Sequence, residues 1–232
     1  RRRRSVVEVL CCVLVLAGLW ATGGRARAQT AESAAPSAIE AQSRALTRAH
    51  ASVVGLRSLA VENARSTSTL GPVRQGSGVV ITEDNLVLTI GYLILEAEQL
   101  QLITADGREL PARLVGYDVA TGFGLVQALA PLRIAPAPLG VAEEVAPDEA
   151  LMVVSGGEDG EVSVAQLLSR RPFAGYWEYM VEGALFTAPA RADHSGAGLF
   201  NTRGELVGIG SLLVRDALGS NAPPRNGNMF VP

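Results

Sequence analysis

The sequence predicts an all-β protein folded as two antiparallel barrels of about six strands each, with a cleft between them. Three observations carry that reading. From Gly76 onward, short apolar runs recur at a spacing of about ten residues, each bounded by Gly, Asp, Asn or Pro, which is the texture of a sandwich or barrel. Ala105-Asp106-Gly107-Arg108 sets an Asp-Gly pair between two such runs, a hairpin signal. The stretch Pro131 to Pro138 (PLRIAPAP) divides the runs into two similar halves, as an extended connector between barrels would. A functional site is expected in the cleft between those halves.

The N-terminus reads as an export signal. Arg1 to Arg4 form a cationic start, Val9 to Leu19 a short apolar core, and Ala26-Arg27-Ala28 places small residues where a signal peptidase reads them. Residues 1–28 are therefore expected to be removed, with a bacterial periplasm as the destination. The apolar run is too short for a membrane span, and none is expected in the mature chain. Cleavage removes six Arg and one Glu, shifting the formal charge from −3 to −8. An acidic mature chain, with its Arg scattered singly and no Lys anywhere, argues against nucleic acid as a partner. Both cysteines, Cys11 and Cys12, lie in the apolar core, so the mature chain has neither a disulfide framework nor a thiolate metal site.

Residues 29–50, rich in Ala, Ser and Gln, are expected as a linker or short helix. Residues 51–232 are expected as the double barrel, the first about 51–130 and the second about 140–232. Val53 to Leu56 starts the strands, and Glu62 to Thr69 reads as a loop. The runs at 78–81, 86–89, 100–103, 112–115 and 124–126 complete the first barrel. Those at 150–154, 162–165, 179–181, 185–187 and the pair within 199–213 belong to the second. Ser155 to Gly160 (SGGEDG) reads as a mobile turn, because it lacks the Lys and following helix of a phosphate loop. The aromatic group Phe173, Tyr176, Trp177 and Tyr179 is expected to pack beneath the second barrel, with a partner-contact surface as the sharper alternative.

The chemistry centres on Asp193-His194-Ser195-Gly196-Ala197-Gly198-Leu199. A Ser on a Gly-flanked turn is how a nucleophile is presented beside backbone N–H groups, although the same letters would serve an ordinary tight hairpin.

Residues 75–126 and 193–210, taken in order, resemble the trypsin-like serine proteases of the HtrA/Deg branch. That family has a Gly-Ser-Gly strand, a Thr-x-x-His-Val turn, an Asp-Gly hairpin and an Asp-x-x-Thr-Asp segment. A Gly-Asn-Ser-Gly-Gly-Pro-Leu segment follows in the second barrel. Asn228 to Pro232 resemble its closing strand. The resemblance implies a chymotrypsin/trypsin-like double barrel with a site in its cleft, and a family that usually continues into a peptide-binding PDZ domain. It also exposes departures. Tyr92, in Thr89-Ile90-Gly91-Tyr92, stands where the family has its catalytic His. Gly122 stands at the catalytic Asp position, and Asp193 at the oxyanion-hole Gly. Of the catalytic residues only Ser195, the nucleophile position, remains.

A Ser hydroxyl needs a base within hydrogen-bond reach. Tyr92, with a reference pKa near 10, is a poor base at neutral pH and is expected to fill the cleft floor with its hydroxyl directed outward. His50 is expected to be solvent-exposed, and His194, adjacent to Ser195, to point away from it. Glu96, Glu98 and Asp118 lie near the first-barrel site in sequence, but an ordinary carboxylate is a weak partner for Ser. Asp193 is expected to set negative charge where an oxyanion would develop. No ligand spacing suggests a metal, and no cofactor is expected. The first reading is an exported, catalytically inactive homologue that binds peptide or protein segments or serves as a regulatory scaffold. One alternative is a divergent serine endopeptidase using Ser195. Another is a structural β domain that oligomerises, for instance through residues 29–60.

Overall fold

The computed structural model describes residues 28–147, 149–175 and 180–232, with side chains from Ile39 onward. The expected export signal and its cleavage site lie outside the described side chains, as do Tyr176, Trp177 and Tyr179 of the aromatic group.

Twelve strands form two closed antiparallel barrels. The first contains β1 (Val53–Ala60), β2 (Val73–Val80), β3 (Leu86–Ile90), β4 (Ala97–Ile103), β5 (Glu109–Tyr117) and β6 (Phe123–Ala128), in the order β1-β2-β3-β6-β5-β4. The second contains β7 (Ala150–Val154), β8 (Val162–Phe173), β9 (Val181–Ala188), β10 (Gly198–Phe200), β11 (Leu206–Val214) and β12 (Gly227–Val231), in the order β10-β11-β12-β9-β8-β7. Closure gives every strand a neighbour on both sides along at least part of its length. The period-two pattern drives it: in β6, Gly124, Val126 and Ala128 are buried while their neighbours are only half-buried. The Asp-Gly hairpin joins β4 to β5, with Gly107 at φ +79.

The proline-rich connector runs extended between the barrels. Ala137 donates its N–H to Val80 at the end of β2, and Leu206 of β11 donates to Pro138. One apolar cluster is continuous through both halves, including Leu56, Val79, Val126 and Leu132 with Phe186, Phe200 and Met229.

Four expectations are corrected. Residues 28–51 form a helix, α1 (Ala28–Ala51), longer than the linker or short helix expected. Its packed stripe is Ala45, Leu46 and Ala49, which presses on the Asn201–Gly204 turn: a Cβ at Gly204 would lie 2.5 Å from the Ala45 carbonyl oxygen. His50, in its last turn, is half-buried rather than exposed, and burial pushes its pKa down. Val181, the end of one expected run, and the run at 185–187 belong to one strand, β9, which passes Gly183 at φ +67 beside a break in register with β8. The 155–160 segment, expected as a mobile turn, is docked on the first barrel at Gly156. Gly156 donates its N–H to Ser77 Oγ at 2.9 Å, and a Cβ on it would strike the Val54 backbone at 2.1 Å. A single short helical turn, Thr67–Leu70, lies within the expected loop at 62–69.

Candidate functional site

Ser195 sits on a turn held from both barrels. The Ala197 N–H closes it on the His194 carbonyl at 3.0 Å. Gly196, at φ +72, supplies the left-handed residue such a turn requires, and a Cβ there would lie 2.0 Å from the Ser77 carbonyl oxygen. From the first barrel, Ser77 donates its N–H to the Ser195 carbonyl at 2.9 Å. From the second, Gly196 donates to the Gly210 carbonyl at 2.8 Å.

Tyr92 reaches this turn across 103 residues of sequence. It lies on a 3-10 turn, Gly91–Leu93, that follows β3 and is fixed from beneath. Arg74, only 5% exposed, donates to the carbonyls of Tyr92 and Leu95 and to Ser66 Oγ. Ser58 Oγ donates to the Leu93 carbonyl. A buried guanidinium is tolerated because each of its three nitrogens finds an acceptor. Held this way, the phenol lies 2.7 Å from the Ser211 carbonyl oxygen and 2.8 Å from Ser195 Oγ. Its hydroxyl therefore points inward, not outward. The reason is that the Ser211 carbonyl, aimed into the cleft, offers it a buried acceptor.

The phenol carries one proton, and a carbonyl can only accept. Tyr92 O–H is thus committed to Ser211, and the contact with Ser195 is completed by the serine donating to the phenol oxygen. Ser195 gives its proton to a group with almost no basicity at neutral pH.

Gly122 contributes backbone only. At φ +81 its carbonyl accepts the Gly91 N–H at 2.6 Å, and its own N–H donates to the Asp118 carbonyl. The space beside Gly91 is taken by the Tyr117 ring, which a Cβ at Gly91 would meet at 1.8 Å. The nearby carboxylates turn elsewhere. Asp118 accepts from Thr121 Oγ1 and the Ala120 N–H, which hold its pKa below the usual range. Glu96 accepts from the hydroxyl and N–H of Ser66, with the same effect.

Asp193 is partnered rather than aimed at a developing oxyanion. Arg191 Nε donates to its Oδ1 at 2.9 Å, Arg191 Nη2 contacts its Oδ2, and Ser155 Oγ donates to Oδ2 at 2.5 Å. Burial works against its charge, but the hydrogen bonds from Arg191 and Ser155, with the Arg191 charge, outweigh it and lower its pKa. The Arg191 backbone is itself gripped at both N–H and C=O by the Asn228 amide. His194 Nδ1 lies 2.9 Å from the Arg191 carbonyl oxygen and so carries the proton there. Burial lowers the His194 pKa, against the pull of that carbonyl and of Asp193. Among the described residues no hydrogen bond joins His194 to Ser195, and no cluster of His, Cys, Asp and Glu has the makings of a metal site.

The structure thus brings Tyr92 and Ser195 into contact, keeps Asp193 two residues away facing Arg191, and leaves Gly122 behind Gly91. Ser211, Ser155, Arg191 and Arg74 were not singled out from sequence. None has a motif: Ser211 and Ser155 act through contacts between segments far apart in sequence, and Arg191 and Arg74 through hydrogen bonds that no residue pattern marks. Beside Ser195, facing the loop 155–159, opens a pocket of 310 Å³ between the two barrels.

Residues 76–209, more than half of the chain, match the trypsin-like peptidase domain. The chain belongs to that family. Its relatives include a probable periplasmic serine endoprotease DegP-like of Brucella suis, 28% identical over 154 residues, which is 64% of this chain and 29% of the relative. The periplasmic pH-dependent serine endoprotease DegQ of Escherichia coli is 28% identical over 148 residues, covering 62% of this chain and 32% of DegQ. The chain thus spans about a third of the length of these curated relatives. The HtrA-type protease AlgW solved with a tripeptide superposes at a TM-score of 0.66 with 19% identity, covering 82% of this chain and 59% of AlgW. At that identity the likeness establishes the fold, the chymotrypsin-like double barrel, and nothing finer.

Proposed function

We propose that this trypsin-like family member is exported to the periplasm and binds peptide or protein segments in its inter-barrel cleft without cutting them. One observation carries the reading: the group within hydrogen-bond reach of Ser195 Oγ is the phenol of Tyr92, which lacks the basicity to remove the serine proton. Gly122 adds no carboxylate, and the Asp193 side chain is bound to Arg191. Losing the base and its orienting acid together removes a unit that acts as one, so little turnover would survive. Peptide binding is supported by kinship with a fold solved, in AlgW, with a tripeptide and with a decapeptide. Export is supported by the signal-like N-terminus and by periplasmic relatives. The test is reaction with a fluorophosphonate probe, followed by mass spectrometry of the peptide carrying Ser195. No modification is expected under conditions that saturate an active serine protease. Stoichiometric labelling of Ser195 would overturn the inactive reading.

A further inference from the structure

We infer that Arg74 is a positioning residue for the Tyr92–Ser195 contact, and that Ser66 and the exposed carboxylate Glu96 hold Arg74 in place for it. The inference rests on the contact that carries the reading above, and it names what sets that contact from behind. The phenol meets Ser195 only while the backbone of its 3-10 turn is held steady, and that backbone is held by its carbonyls. Leu93 C=O accepts from Ser58 Oγ of β1, and Glu96 C=O accepts the Val61 N–H at 2.8 Å. Arg74 of β2 supplies the other two donors from one nitrogen: Nη1 lies 3.1 Å from the Tyr92 oxygen and 2.5 Å from the Leu95 oxygen, spanning the turn. Its Nε donates to the Gly71 carbonyl at 3.3 Å and its Nη2 to Ser66 Oγ at 2.6 Å. A planar fork with an acceptor at every nitrogen is fixed in rotation as well as in place.

The fork is fixed in turn from the surface. The buried Ser66 hydroxyl has one proton, so it accepts from Arg74 and donates to Glu96 Oε2 at 2.5 Å. Glu96 Oε2 also accepts the Ser66 N–H at 2.8 Å, and its Oε1 the Arg65 N–H at 3.3 Å. The Glu96 charge supports the guanidinium against the burial that lowers its pKa. Glu96 keeps this place at φ +54, in the left-handed region that favours glycine. A residue retained against backbone strain has a reason in its side chain, and here that reason is three hydrogen bonds to residues 65 and 66. Through its carbonyl on Val61 and its carboxylate on Ser66, one residue joins the surface loop to the turn that carries Tyr92.

The experiment is carbon NMR of the full chain labelled at the Cζ atom of its four tyrosines, with the Tyr92 line assigned by Tyr92→Phe. That carbon bears the hydroxyl, so its shift reports the hydrogen bonds of the oxygen. Ser195→Ala removes a donor to the phenol and is expected to move the Tyr92 line, and the size of the movement measures the contact. The same measurement is repeated in two backgrounds, each checked for native fold by circular dichroism. Arg74→Lys keeps the charge but has a single nitrogen for four acceptors, and is expected to lose most of the response. Glu96→Gly removes the carboxylate while relieving the backbone at φ +54, and is expected to lose part of it. Being at an exposed position, it tests the inference even if the change at the buried Arg74 prevents folding. A residue that only stabilised the barrel would lower the urea midpoint and leave the response intact. A full response in every folded variant would overturn the inference, and a full response in Glu96→Gly alone would overturn the part given to Ser66 and Glu96. No movement on Ser195→Ala in the otherwise wild-type chain would remove the contact, and with it the observation behind the inactive reading. Stoichiometric fluorophosphonate labelling of Ser195, with the response reduced in both variants, would overturn inactivity alone and leave the positioning role standing.

Discussion

A single phenol ties the Ser195 turn to the first barrel. With its proton on the Ser211 carbonyl, Tyr92 accepts from Ser195, so the two serines are not equivalent partners. Tyr92→Phe loses two contacts at once, the donor to the carbonyl of the fully buried Ser211 and the acceptor of Ser195 Oγ, at a cost of about 1–3 kcal/mol. Ser195→Ala removes only a donor to an oxygen that keeps its other bond, and its cost is expected to be smaller, about 1 kcal/mol or less. Urea unfolding of the two variants measures the order. A larger loss for Ser195→Ala would mean that the phenol proton serves Ser195 instead. The places of Tyr92 on the turn after β3 and of Gly122 before β6 were legible in the sequence, because both stand in readable motifs. The direction of the Tyr92 hydroxyl was not, because its acceptor lies on β11, 119 residues away. The pairing of Asp193 with Ser155 was hidden for the same reason, the two being 38 residues apart.

At the scale of elements, strands were more legible than the helix. Alternation with turns every ten residues survives in sequence because each strand is buried on one face and bounded by residues that end it. Among the described side chains of α1 the buried members are Ala45, Leu46 and Ala49, a thin stripe, so composition alone reads as linker. Such a helix owes its stability to docking more than to propensity. Leu46 is its anchor, fully buried and part of the cluster shared by both barrels. Leu46→Ala is expected to cost about 2–5 kcal/mol, read as a fall in the urea midpoint without a change in slope. An unchanged midpoint would mean that α1 is dispensable to the barrels. The 155–160 loop teaches a related lesson. Its glycines suggested mobility, yet Gly156 is there because the Val54 backbone leaves no room for a Cβ.

At the scale of the whole molecule, the barrels are joined by more than the connector. Ser77 reaches both the Ser195 carbonyl and the Gly156 N–H, Tyr92 reaches Ser195 and Ser211, and one apolar cluster runs from Val79 and Val126 to Phe186 and Met229. With hydrogen bonds and core shared in this way, neither barrel is expected to open while the other stays folded, so unfolding should be a single transition. Native-state hydrogen exchange tests this directly. The slowest amides of β6 in the first barrel and β12 in the second are expected to exchange with the same free energy and the same denaturant dependence. Tyr92→Phe, whose side chain belongs to the first barrel, should then lower protection in β12 as much as in β6. A loss confined to β6 would show two units that unfold separately, and the cleft would be a hinge rather than a fixed seam.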